Sequence, residues 1–165
     1  MLNSDHFSEE ELSLLNPAYI GFLLYSSIRE FSAHKAEGMH CALPFILIPM
    51  AVNKYVSGSL PKMFKTPIGV WAAENEGPVS DLHLQASAYN PVVKAALSFL
   101  MDKQLLTLTD NGYLQVVGKE LAKNPGLFSK SAEMKEALRV AKFLGRWFSH
   151  APSVETIFAQ LGLRP

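Results

Sequence analysis

The stretch from Pro91 to Val117 constrains the fold more than any other, because its hydrophobic period changes once, from helical to alternating. Pro91 suits a first helical position, where its missing N–H has no intrahelical partner to lose. Val93, Ala96, Leu97, Leu100 and Met101 follow at helical spacing, and Gln104 closes the row. Leu106, Leu108 and, past a turn, Tyr113 then alternate, with Thr107 and Thr109 between them. Asp110-Asn111-Gly112 tolerates the positive φ that a tight hairpin requires. Helix, strand, turn, strand is the second half of a winged helix-turn-helix. Upstream, Thr66-Pro67 starts a helix from Ile68 to about Asn75, with Val70 and Trp71 inward. Gly77-Pro78 reads as punctuation, and Val79 to Tyr89 as a helix with Leu82 and Ala86 on one face. Residues 66–117 therefore follow the winged-helix order.

The flanks are helical. Ser8 with Glu11 has the spacing of a capping box, so a short helix is expected within the lead of residues 1–15. Asn16-Pro17 opens a helix to about Ala33, with Ile20, Leu23, Leu24, Ile28 and Phe31 in one stripe. Tyr19, Phe22 and Tyr25 widen that stripe until the helix must be either central or covered by another chain. Lys35 to Gly38 is a turn. Phe45 to Tyr55 fits a strand or a buried helix; Pro44 at a first turn favours helix, with Pro49 kinking it or ending its first part. After the hairpin, Gly118 to Ser129 reads as a short helical piece and a loop. Ser131 caps a long helix to about Phe148, and Ser153 opens a last one, Val154 to Leu161, stopped by Gly162. The expected fold is a single mainly α domain over residues 1–165. N-terminal helices fill 16–60, a winged-helix unit 66–117 and C-terminal helices 118–165.

Composition excludes several functions. The formal net charge is zero, so no bulk field draws the chain to nucleic acid or membrane. A single cysteine, Cys41, fits a reducing cytoplasm. The polar, acidic N-terminus does not resemble a signal peptide. The longest apolar run, Cys41 to Val52, contains two prolines and is shorter than the ~20 residues that span a bilayer. No two of the five histidines have the i, i+4 spacing of a helical zinc site. No phosphate loop, nucleophile elbow or paired acidic motif is present either. The expectation is a cytoplasmic protein without catalytic, cofactor or metal residues.

The charge is unevenly placed. Residues 1–30 are acidic and 129–165 basic, so the two ends could attract each other or the basic end could face an acidic partner. On the long helix Lys135, Arg139, Lys142 and Arg146 fall at i, i+4, i+7 and i+11, on one face. That face is either solvated or a contact with an acidic partner surface or passing DNA backbone. A second row, Val140, Phe143 and Trp147, lies to another side. Arg146-Trp147 has the composition of an interface anchor, although Trp147 could instead pack against Ile157 and Phe158. The would-be recognition helix shows Lys94, Ala95, Ser98, Phe99 and Asp102 opposite its core stripe, a poor set for base edges. The wing carries no Lys or Arg, and Asp110 stands at its tip. A DNA-binding transcriptional regulator is therefore the weaker alternative, and a protein-docking module the stronger.

Leu15-Asn16-Pro17-Ala18, then Leu43-Pro44 and Leu60-Pro61, resembles the N-terminal half of one family. Phe143-Leu144-Gly145-Arg146-Trp147-Phe148, then Thr156-Ile157-Phe158 and Leu161-Gly162-Leu163-Arg164-Pro165, resembles its C-terminal signature. The family is the middle component of bacterial three-component ABC-ATPase (ABC-3C) conflict systems, here with the look of a Lamassu-type small subunit. The resemblance implies a non-catalytic subunit whose partners are an SMC-like or Rad50-like ATPase and an effector, often a nuclease. It implies action against phage or plasmid DNA, with DNA touched in the context of the complex and no membrane involved. Within the signature, Gly145 is expected to permit close helix packing. Arg146 and Arg164 are its polar members and, with Lys135, Arg139, Lys142 and Trp147, the candidate partner- or DNA-contacting residues.

Overall fold

A computed structural model describes residues 15–164. The expected Ser8–Glu11 capping box lies outside them. The first helix, α1 (Pro17–Ser32), begins where Asn16 Oδ1 accepts the Tyr19 N–H at 2.8 Å. Ile20, Leu23, Leu24, Tyr25 and Ile28 are completely buried. The helix is central: it packs most extensively against a C-terminal helix, α7 (Ala132–Ser149), and next against α6 (Asn90–Asp102). Its wide apolar surface is thus used within the fold. At the α1–α7 crossing Gly145 faces the Ser27 backbone so closely that a β-carbon would collide with the Ser27 carbonyl oxygen. The close packing expected of Gly145 is what the structure shows.

The apolar segment after Leu43 is helical. α2 (Pro44–Val52) runs through Pro49 and buries Ile46, Leu47, Ile48 and Met50. It does not reach Tyr55. Asn53 turns extended and its side chain accepts the N–H groups of Tyr55 (2.9 Å) and Val56 (3.3 Å), starting a separate short helix, α3 (Lys54–Ser57). α4 (Ile68–Glu74) buries Ile68 and Trp71. Val70, expected inward, is 46% exposed. Positions 68 and 71 share one face of a helix, and 70 stands about 100° away from Trp71. Gly77-Pro78 is no break either: it lies in the first turn of α5 (Glu76–Gln85), where a proline costs no hydrogen bond. A 3₁₀ turn, Ala86–Tyr89, carries the chain from α5 into α6.

α6 ends in a Schellman arrangement: the Leu105 N–H reaches the Leu100 carbonyl (2.9 Å) and the Gln104 N–H that of Met101 (3.0 Å). Gln104 has φ +58°, so it leaves the helical row it was expected to close. β2 (Leu106–Leu108) and β3 (Tyr113–Val116) form the expected antiparallel hairpin, with Leu106 opposite Val116 and Leu108 opposite Leu114. Its turn is closed by Gly112 N–H to the Thr109 carbonyl (3.0 Å), with Gly112 at φ +87°. A third strand, β1 (Met39–His40), pairs with β3 through Met39 opposite Leu114, giving the order β1-β3-β2. The hairpin and α6 are therefore built onto α1 and β1, and residues 66–117 do not contain the sheet by themselves.

Between the sheet and α7 the only helical piece among the described residues is the 3₁₀ turn Phe128–Lys130. Ser131 Oγ caps α7 by accepting the Met134 N–H at 3.3 Å. Leu138, Val140, Ala141, Leu144, Trp147 and Phe148 are all buried in it. α8 (Val154–Leu161) is capped by Ser153 Oγ on the Thr156 N–H (3.2 Å) and stopped by Gly162 at φ +69°. The architecture is mainly helical with one small sheet. Among the described residues no helix is long and apolar enough to cross a membrane.

Candidate functional site

The outer face of α7 carries the four expected cations, but their surroundings differ. Lys135 is exposed. Arg139 reaches one turn back to Glu136 with two hydrogen bonds, 2.5 and 2.9 Å, and this pair holds the Glu136 carboxyl below its ordinary range. Lys142 is half-buried and donates to the Lys123 carbonyl (2.7 Å) and to Asn124 Oδ1 (2.9 Å). Arg146 crosses to α1 and pairs with Glu30 at 2.8 Å. That pair joins the basic C-terminal region to Glu30 of the acidic N-terminal one, which is one of the two outcomes the charge distribution left open. Arg164 follows α8 and is exposed.

Trp147 is not on this face. It is 1% exposed, its indole N–H donates to the Thr66 carbonyl at 2.6 Å, and the Trp71 ring stands edge-on at 5.7 Å. The large ring and its single donor are both satisfied inside the fold, which corrects its reading as an interface anchor. Its ring neighbours are Trp71 on α4 and Phe143 and Phe148 on α7, and Ile157 and Phe158 belong to the same buried core.

Residues without a sequence signal complete the surroundings of Lys142. Arg29 Nη1 donates to the Leu121 carbonyl at 2.7 Å, and its guanidinium carbon lies 5.1 Å from the centre of the Tyr25 ring. The Tyr25 hydroxyl accepts the Leu121 N–H at 3.2 Å. Loop 118–127 is thus held to α1 and α7 by Tyr25, Arg29 and Lys142. Burial lowers the Lys142 ammonium pKa, and the neighbouring Arg29 and Lys123 lower it further against the opposing pull of Glu30. Arg29 and Glu30 stand out in the sequence only as the two charges of an otherwise uncharged helix, which does not reveal the loop they meet.

On α6, Lys94, Ala95, Ser98 and Asp102 are exposed as expected. Phe99 is not free: it is half-buried, and a β-carbon on Gly21 of α1 would sit 3.4 Å from its ring. Asp110 and Asn111 are exposed at the hairpin tip. A cleft of about 320 Å³ opens between this tip and the α7–α8 joint, lined by His40, Tyr113, Lys35 and Glu155 above Phe31 and Phe148. Among the described residues, no three His, Cys, Asp or Glu side chains gather as a metal site would require.

The model of one protein family, described as ABC-three component (ABC-3C) system Middle Component 3, matches residues 4–165. The match covers nearly the whole chain, and the chain belongs to that family. No curated protein and no solved structure matches it.

Proposed function

We propose that this ABC-3C middle component is a non-catalytic adaptor in a cytoplasmic, Lamassu-type defence complex. In this reading it bridges an SMC-like or Rad50-like ATPase and an effector subunit, often a nuclease. The observation that carries the reading is the family match over residues 4–165, since a middle component implies the other components of its system. α1, β1, α2, α6, β2 and β3, in that order, with strand order β1-β3-β2, support a winged-helix reading in which α3 to α5 are inserted before the last helix. Asp102 and Asp110 are exposed, and neither strand of the wing carries a Lys or Arg. Such a surface suits protein docking better than phosphate contact. The basic face of α7, with Arg164, is the proposed contact for the ATPase or for DNA held by the complex.

The test is co-expression with the ATPase and effector subunits of the same ABC-3C system, followed by affinity capture. The expected result is a complex containing all three chains, weakened by the double reversal Lys135→Glu with Arg139→Glu in a variant whose circular dichroism stays native. Absence of any complex would refute the adaptor reading. Tight binding of duplex DNA by the isolated chain, falling steeply with salt, would favour the regulator instead.

A further inference from the structure

Near the last turn of α1 the charges do not balance. Arg29, Lys123, Lys142 and Arg146 are drawn together by loop 118–127 and α7, and Glu30 is the carboxylate that the contacts place among them. Apart from the Arg146–Glu30 pair, the hydrogen bonds of Arg29 and Lys142 end on neutral oxygens, those of Leu121, Lys123 and Asn124. A carbonyl satisfies a donor without neutralising its charge. These contacts thus give Arg146 a carboxylate and leave Arg29 and Lys142 bonded to neutral oxygens alone. Donor capacity is left over as well. An ammonium has three N–H groups and two of Lys142's are placed; a guanidinium has five, and Arg29 places one.

We propose that Arg29 and Lys142, flanked by Lys123, form a phosphate-binding site. A phosphate oxygen takes the third N–H of Lys142 and the remaining donors of Arg29, while Lys123 adds charge from the exposed loop. A tetrahedral oxyanion supplies what the carbonyls cannot, negative charge with several acceptors, and charge-assisted bonds of this kind are about twice as strong as neutral ones. The phosphate is either free or part of a nucleic-acid backbone. The site deepens the proposed contact role of the α7 face and rests on that reading only for its biological use. Phosphate binding is read on the isolated chain and assembly by affinity capture, so either can fail alone.

The test is a titration of the isotope-labelled full chain with sodium phosphate against sodium chloride at matched ionic strength, followed by amide resonances. Saturable shifts are expected at Arg29, Lys142 and residues 121–124. Lys142→Met should weaken binding roughly tenfold. Lys123→Met should weaken it less and, being an exposed loop position, leave the fold intact. Lys94→Met, on the exposed face of α6, is the control and should change nothing. A second arm measures fluorescence anisotropy with a short DNA duplex at several salt concentrations. If the phosphate belongs to a backbone, Lys123→Met lowers duplex affinity and the salt slope falls by about one. If it is free phosphate, the titration saturates and the duplex does not bind through these residues. Shifts spread evenly over the surface lysines, or phosphate affinity unchanged in both Lys142→Met and Lys123→Met, would overturn the site and leave these cations only the task of fastening the loop.

Discussion

Gly145→Ala tests the packing of the two central helices. A β-carbon at Gly145 would collide with the Ser27 carbonyl oxygen and lie 2.8 Å from Ser27 Oγ and 2.9 Å from the Ser27 carbonyl carbon. The obstacle is the backbone of a buried helix, which cannot swing aside as a flexible side chain would. Two effects oppose each other. Alanine is favoured over glycine in a helix interior by about 1 kcal/mol. Overpacking a rigid core costs about 1–3 kcal/mol, and a backbone obstacle puts Gly145 at the upper end. The expected net loss is about 1–2 kcal/mol. For a domain of this size each kcal/mol moves Tm by about 2–4 °C, so the variant should melt about 2–8 °C lower. Gly21→Ala is the internal comparison. It sits on α1, and its β-carbon would make ordinary 3.4 Å contacts with Leu100 and Phe99 side chains. There the propensity gain should stand, leaving stability unchanged or raised by up to about 1 kcal/mol. Thermal and urea denaturation followed by circular dichroism measure both. A Gly145→Ala variant as stable as the parent, or the same shift in both variants, would refute the argument.

Trp147→Phe should cost about 1–3 kcal/mol in urea denaturation, because it shrinks a buried ring and removes the indole donor of the half-buried Thr66 carbonyl; a neutral result would mean that the packing relaxes and water replaces the indole. Gly112→Val should destabilise by about 1 kcal/mol or more, since a β-branched residue cannot easily hold φ +87°; unchanged stability would show that the turn relaxes. Burial, and after it Glu133, pushes the Tyr19 phenol up to about 12, above its ordinary 10.0. A folded pKa raised above the unfolded one contributes stability that is present below about pH 10 and lost as the pH rises through about 12. An ultraviolet absorbance titration should therefore show one late-ionising phenol that Tyr19→Phe removes, and a curve unaltered by the substitution would contradict this.

The parts of the fold that were legible in the sequence are those whose signals are local. Asn16, Ser131 and Ser153 each cap the helix expected of them, because a cap needs only a side chain two or three residues from a free N–H. Gly112 and Gly162 announce positive φ in the same way. What failed was non-local or too short for a period to show. Strand β1 is two residues long, and Met39 joins the sheet because Leu114, far along the chain, presents an edge to it. Asn53 looked like the interior of an apolar run, yet its side chain stops one helix and starts another. Val140 and Trp147 read as a second row because a single helix was weighed against a single neighbour. α7 instead has α1, α2 and the α4 tryptophan around it, so apolar residues on more than one side are core.

The basic row shows the same division within the candidate site. Spacing on one helix places Lys135, Arg139, Lys142 and Arg146 on a common face, and they are there. Spacing cannot say which chain segments return to meet them. Arg139 is matched by its own helix, whereas Lys142 meets a loop 18 and 19 residues away and Arg146 meets Glu30, 116 residues away. The four are consequently not equivalent probes of a partner. Replacing Lys142 or Arg146 disturbs the attachment of loop 118–127 or the α1–α7 pairing along with any outside contact. Arg139 holds an exposed pair with Glu136, of the kind worth about 0.2–1 kcal/mol, so its loss hardly touches the fold. Lys135 has no partner among the described residues and projects from the first turn of α7. A change in assembly on reversing Lys135 therefore reports an outside contact alone. The same change at Arg146 acquires that meaning only after the Glu30 pair has been tested by Glu30→Gln.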